Sequence, residues 1–344
     1  MDLYILNSQF TPIAVIDSYK SLIWTSRYYT AGDFELYLPA NNDLLQYFQI
    51  DNYICRDDDD SMMIIEKIDI TTSTDEGDFF IITGKSLESI LSRRIIWTQT
   101  NISTSNPVIG INRLVTENAI NPSNAARTIP NLVVSEPISI SGSLDTQFTG
   151  DNLMTAITSI CVSFDIGFRI IYDGQDLVFS CYQGQQVDVT FSPEFDNLIS
   201  SDFSYDLSSF KNSALVAGEG EGTSRKTTGI WITSSEPTGL DRRELYVDAR
   251  DISSNDGAIL EPEYIEKLGQ RGKERLNEYA IKSSFENEIA PDMTYHYKVD
   301  YNLGDIVTLS NEYGLTTNPR ITEIIESWND EGYKVIPTFE KLEV

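Results

Sequence analysis

The sequence is poor in the residues on which most enzyme sites are built. Its 344 residues include one histidine, His296, and three cysteines, Cys55, Cys161 and Cys181. A Ser-His-Asp triad or an imidazole metal site would have to begin at His296, and no second histidine or nearby cysteine supports one. The cysteines lie in apolar surroundings without C-x-x-C spacing. They read as buried free thiols of a soluble protein folded in a reducing compartment, not as a disulfide framework. Long apolar runs are missing as well, since nothing approaches the roughly 20 residues of a membrane helix. The opening MDLYILNSQF has no basic stretch leading into an apolar one, which argues against a signal peptide. Positive charge is scarce: 25 Lys and Arg stand against 53 Asp and Glu, a formal net charge of −28. Spread over the whole chain, that field repels nucleic acid and anionic lipid, so stable DNA binding and membrane binding are not expected.

What the chain does contain is strand-forming sequence. Hydrophobic residues make up 40%, with 18 Tyr and 15 Phe, enough to bury a core in each of two or three domains. Residues 1–92 read as β-rich. Leu22–Tyr29 and Phe34–Leu38 form a hairpin around Thr30-Ala31-Gly32-Asp33, with Phe34, Leu36 and Leu38 on one face and Glu35 on the other. Tyr53–Asp57 and Met62–Thr71 make a second hairpin with Asp57–Asp60 at its tip, and Ser86 can cap a helix that follows. Residues 93–200 change character. Asn106-Pro107 opens one helix, Thr149–Val162 is a second, and Asp173-Gly174 turns a hairpin between Gly167–Tyr172 and Leu177–Cys181. From 201 to 282 strands return, followed by a helix over 262–280 with Ile265, Leu268 and Leu276 inward and a charged outer face. Residues 283–344 read as a meander: Met293–Asp300 alternates, and turns at Asn302-Leu303-Gly304, Asn311-Glu312-Tyr313-Gly314 and Asn329-Asp330-Glu331-Gly332 separate three more strands.

None of the chemical motifs stands up. Asp57–Asp60 lacks the interleaved spacing and following Glu of a calcium loop. Gly218-Glu219-Gly220-Glu221-Gly222 lacks the Lys-Ser/Thr of a phosphate loop, and its glutamates would repel phosphate. Arg93-Arg94 and Arg242-Arg243 are too few for a nucleic-acid patch and read as ion-pair partners. No carboxylate pair is singled out as acid and nucleophile. We therefore expect no catalytic, cofactor-binding or metal-binding residues, and no cofactor.

Several stretches together resemble a known family. SLIWTSRYYTAGDFELYLPA, GKSLESILSRRII, ALVAGEGEGTSR and above all NLGDIVTLSNEYGLTTNPRITEIIESWNDEGYKVIPTFE are similar, in order, to hub proteins at the distal end of bacteriophage tails. The likeness points to baseplate hubs of siphophages of Gram-positive bacteria and of phage-tail-like bacteriocins, and it is weakest over 100–200. The resemblance implies a non-enzymatic, mainly β virion component with two tail-tube-like β-barrel modules per chain. Those modules would be 1–92 and 201–282, with an α+β insertion at 93–200, an outer helix at 262–280 and a barrel-completing meander at 283–344. It further implies a homotrimeric ring, sixfold-like toward a hexameric tube or distal tail protein and threefold toward a central spike. The acidic lumen would let DNA or tape-measure protein pass without sticking. The expected location is the virion tail tip or baseplate, with assembly in the bacterial cytoplasm. Because the chain stops at Val344, soon after the last strand, wall hydrolysis is expected to belong to a separate protein. The rivals are a tail-associated peptidoglycan hydrolase, which needs a cleft with two carboxylates ~5–10 Å apart, and a receptor-binding adhesin.

Overall fold

The computed structural model describes residues 1–344 except 74–76, 196, 198–199, 256, 289–294, 311–312, 314–315 and 342–344. The chain divides into two compact units. The first comprises Met1–Ile90, Gly167–Phe203 and Ser284–Val344, and the second Leu91–Ile166 and Ser204–Ser283. Strand dominates, as the alternating sequence predicts.

In chain order the strands are β1 (Leu3–Leu6), β2 (Pro12–Ile16), β3 (Ser21–Arg27), β4 (Asp33–Pro39), β5 (Tyr53–Arg56), β6 (Met62–Ser73) and β7 (Gly77–Ser86). Then come β8 (Thr100–Thr104), β9 (Leu132–Val134), β10 (Leu144–Phe148), β11 (Gly167–Tyr172), β12 (Leu177–Tyr182), β13 (Gln186–Phe191) and β14 (Ser200–Asp206). The last are β15 (Ser213–Ala217), β16 (Thr227–Trp231), β17 (Glu244–Asp248), β18 (Lys282–Glu288), β19 (Ile306–Ser310), β20 (Thr316–Thr317), β21 (Pro319–Asn329) and β22 (Gly332–Lys341). The principal helices are α1 (Pro107–Val115), α2 (Leu153–Phe164) and α3 (Glu261–Asn277).

The first unit is built on one sheet of fourteen strands among the described residues, in the order β14-β18-β22-β21-β3-β4-β7-β6-β5-β1-β2, with β13, β19 and β20 branching from β21. Phe34, Leu36 and Leu38 of β4 are buried and Glu35 is exposed, so the alternation sets the register against β3, where Leu22 faces Leu36. Gly32 serves this hairpin through close approach: an added Cβ would stand 1.9 Å from the Thr25 carbonyl oxygen. Ser86, expected as a helix cap, instead accepts the Gly32 amide at 2.8 Å and precedes a 3-10 turn, Leu87–Arg93. Strand β21 pairs with β3 from the far end of the sequence, placing Glu326 opposite Trp24 and Trp328 opposite Leu22. Two apolar cores result, one around Trp24, Leu36, Ile54 and Ile82, the other around Phe191, Tyr301, Ile324 and Phe339.

The expected strand Met293–Asp300 differs. Met293 and Thr294 lie outside the described residues, and the rest is a tight turn in which the His296 carbonyl accepts the amides of Val299 and Asp300 at 3.1 and 2.9 Å. Lys298 takes a left-handed φ of 68° and Asp300 accepts the His296 amide at 2.7 Å, a local closure that competes with extension. The expected turn at 311–314 lies outside the described residues apart from Tyr313.

In the second unit Asn106 caps α1, accepting the Val108 amide at 3.1 Å, and Pro107 fills the first turn where its missing N–H costs nothing. Helix α2 starts later than Thr149 because Asn152 is its cap, accepting the amides of Met154 and Thr155. Strands β8 and β10 form an antiparallel ribbon. Strand β15 is the centre of a separate three-stranded sheet, antiparallel to β16 and parallel to β17. Ala214, Val216 and Val247 on one face of this sheet meet Tyr264, Leu268 and Leu276 of α3. Gly272 lets the helix come close, since an added Cβ would lie 2.6 Å from a Val216 methyl. The charged side of α3 is not all solvated: Lys267 and Glu274 are buried. Among the described residues no sheet of either unit closes on itself.

Candidate functional site

A cluster of charges in the first unit lies at the turn joining β5 to β6. Arg56 ends β5 with its side chain fully buried. Its guanidinium donates to Asp58 at 2.7 and 2.8 Å and to Glu326 of β21 at 2.9 and 3.1 Å. Its Cζ lies 4.3 Å from the centre of the Trp328 ring and 5.4 Å from that of Trp24, within cation–π reach of both indoles. Glu326 is nearly buried and also accepts the Tyr333 hydroxyl at 2.8 Å. Lys298, on the turn that follows His296, donates to Asp59 at 2.5 Å and lies 3.9 Å from Glu326. Asp59 also accepts the Ser61 amide, and Ser61 accepts the Trp24 indole N–H at 3.1 Å.

Electrostatics agree with the geometry. Burial alone would lower the Arg56 pKa, but bonds from Asp58 and Glu326 hold it charged and above its ordinary value. Burial would raise the Asp59 carboxyl, yet Lys298 pulls it below the usual carboxylate range. Burial, reinforced by Glu326, pushes the Tyr333 hydroxyl up. The cluster joins strands carrying the two apolar cores, and its charges are satisfied within the protein. That is a structural rivet.

Beside it opens a cleft of about 920 Å³ whose lining includes Arg27, Asp57–Asp60, Glu88, Arg169, Lys298 and Asp305. Several of its carboxylates are already engaged. Asp305 accepts the amides of Gln185 and Asn302 at 3.0 and 2.8 Å, and Glu88 accepts that of Ile170 at 2.7 Å. Burial raises the Glu88 pKa. Asp57–Asp60, expected as an exposed tip, is exposed at Asp57, Asp58 and Asp60, and Asp58 binds Arg56 with half of its side chain in solvent; Asp59 alone is drawn in, by Lys298. Among the described residues no group of three or more His, Cys, Asp or Glu is placed to hold a metal ion.

The other sequence candidates are scattered. His296 is exposed, with Nδ1 3.7 Å from Asp300. The Gly218–Gly222 loop is clamped: Tyr264 accepts the Glu219 amide at 2.8 Å, and the Glu219 carboxylate accepts that of Ser254. Arg242 pairs with Glu236 and Glu244 as expected, whereas Arg94 donates to the Arg127 carbonyl and Arg243 to the Leu207 carbonyl. The cysteines are thiols and not disulfides, and burial pushes the Cys55 thiol to about 11 and that of Cys181 to about 12, far from reactive thiolates.

In the second unit α3 carries a row of charges against β10. Lys267 donates to Asp145 at 2.7 Å, and Arg271 donates to the Gln147 carbonyl at 2.7 Å and to Asp251 at 3.0 Å. Glu274, one turn from Gln270 and Arg271, borders a cavity of about 310 Å³, and burial raises its carboxyl to about 7. The spacing of α3 announced an amphipathic helix. The burial of Lys267 was not legible, because its acceptor Asp145 comes from a strand more than a hundred residues upstream.

Comparisons with known proteins follow the fold. A tail protein of prophage MuSo2 from Shewanella oneidensis superposes with a TM-score of 0.62 at 11% identity, covering 99% of this chain and 98% of the other. A tail protein from Neisseria meningitidis MC58 gives 0.59 at 12% identity over 99% and 95%. The prophage tail protein gp18 of Listeria monocytogenes EGD-e gives 0.57 at 11% over 100% and 96%. A comparison with curated proteins finds no match. The chain thus has the fold of phage tail proteins, in keeping with the resemblance read from its sequence. The family model for Siphovirus ReqiPepy6 Gp37-like proteins matches residues 2–339, and the protein is a member of that family.

Proposed function

We propose that the protein is the structural hub of a phage tail or phage-tail-like particle. Three copies form a ring at the tail tip or baseplate, joining the tail tube or distal tail protein above to a central spike below. DNA or tape-measure protein passes through its lumen. The observation that carries this reading is the family match over residues 2–339, accompanied by a tail-protein fold along the whole chain. Two tube-like modules per copy are supported by the β-rich stretches 1–92 and 201–282 entering mostly different compact units, and by the return of β21 and β22 to the sheet begun by the first stretch. A net charge of −28 suits a passage that must not retain a polyanion. The clustered carboxylates of the first unit are held by arginine, lysine and backbone amides, as befits a scaffold with no reaction to perform.

Cryo-electron microscopy of the intact particle tests the reading. Three copies in a ring around the tail axis, between tube and spike, are expected. A peripheral position would overturn it in favour of an adhesin, and release of muropeptides from cell walls by the purified chain in favour of a hydrolase.

A further inference from the structure

The small sheet of the second unit has one face covered and one face bare. Helix α3 covers the side of Ala214, Val216, Ile230 and Val247. On the other side Leu215 at the centre of β15 is 49% exposed. Its register neighbours are Gly229 on β16 and Tyr246 on β17, and Tyr246 is 57% exposed. Trp231, two residues along β16 from Gly229, is 40% exposed. These side chains share a face because residues two apart on a strand point the same way. Strands β16 and β17 are both sheet edges.

The charge around this face is unlike that of the chain. Glu244 and Asp248 are its acids. Arg242 binds Glu244 and also Glu236, while Arg225 and Arg250 both bind Asp248. Three acids thus meet three arginines, and Glu221 lies in electrostatic reach of Arg250. Two copies of a chain carrying −28 repel one another overall. A contact between copies is cheapest where acids are already neutralised and apolar surface waits to be buried, and this face offers both.

We infer that the outer face of β16-β15-β17, centred on Leu215 and Tyr246, is a contact surface for a second copy of this chain. The inference rests on the ring reading above and names a surface that would serve it. Three strands of five residues present a face of roughly 15 by 17 Å. That is well short of the ~800 Å² per partner of a stable complex, so the contact is weak in isolation and gains from ring closure.

Sedimentation velocity of the full chain over a concentration series reaching roughly 100 μM tests it, the range in which weak contacts register. Reversible association is expected, weakened about tenfold or more by Leu215→Glu, which sets a charge in place of the apolar group at the centre of the contact. Ile70→Glu is the control: Ile70 is 54% exposed in the first unit, and the same charge change there leaves association within about twofold. Both variants replace exposed side chains, and unchanged thermal unfolding confirms that they fold. A chain that stays monomeric throughout, or Leu215→Glu associating as well as the parent, overturns this surface. Either result leaves the ring itself to be judged by the particle reconstruction.

Discussion

Arg56 and Glu326, 270 residues apart in the sequence, face one another through two N–H···O bonds of 2.9 and 3.1 Å in a site that hides both side chains. Each is paid for by the other. Removing only Arg56 leaves a carboxylate buried without its main partner, a change that costs about 3–5 kcal/mol. We expect that loss for Arg56→Met in denaturant unfolding followed by tryptophan fluorescence, which reads Trp24 and Trp328 beside the cation. Arg56→Lys keeps the charge but loses the fork, for a loss of about 1–3 kcal/mol. Parent-like stability of Arg56→Met would show that the rivet holds nothing.

Glu274 makes stability depend on pH. Its carboxyl rises from 4.5 to about 7 on folding because burial disfavours the charged form, with Arg271 offsetting part of that. A group whose folded pKa is raised supports the fold fully below its unfolded pKa, and that support is lost as pH rises through the folded value. Glu274→Gln should therefore be more stable than the parent at about pH 8, by ~1–3 kcal/mol, with the advantage vanishing below pH 4.5. Urea unfolding across that range would read it, and a gain that is equal at both ends would exclude titration of Glu274 as its source.

Gly184 is placed by backbone contact. An added Cβ would stand 1.8 Å from the Gly304 carbonyl oxygen, and main-chain atoms cannot swing aside as side chains do. Gly184→Ala should cost at least ~2 kcal/mol. Gly174→Ala, with φ 99° and open space at its Cβ, should cost only the ~1 kcal/mol of a left-handed residue. Calorimetric melting of the pair tests the order, and a milder effect for Gly184 would contradict the close approach.

Lys267 is held at 3% exposure by Asp145, with Glu263 a second acid 3.8 Å away. Lys267→Met should cost less than a buried pair usually does, about 2–3 kcal/mol, since Asp145 keeps some contact with water. Asp145→Asn should cost less still, because Lys267 retains Glu263 and an amide oxygen. Equal losses, measured by chemical denaturation, would mean that the two carboxylates do not share the ammonium.

Local order was readable wherever one residue decides it. Asn106-Pro107 marks the start of α1, Asp173-Gly174 the turn of a hairpin, and the Phe34-Leu36-Leu38 alternation the buried face of β4. The apolar setting that keeps the Cys55 and Cys181 thiols protonated also follows from residue types and spacing alone. Met293–Asp300 misled because alternation carries no information about competing bonds. The Asp300 carboxylate bonds the backbone locally, and the chain turns. What only the tertiary structure decided is which distant charges share one site. Arg56 meets Glu326 because β21 inserts beside β3, and Lys267 meets Asp145 because α3 packs on β10. A strand's face is set by its own period, but its partner is set by burial summed over the whole sheet, a quantity that no short stretch of sequence contains.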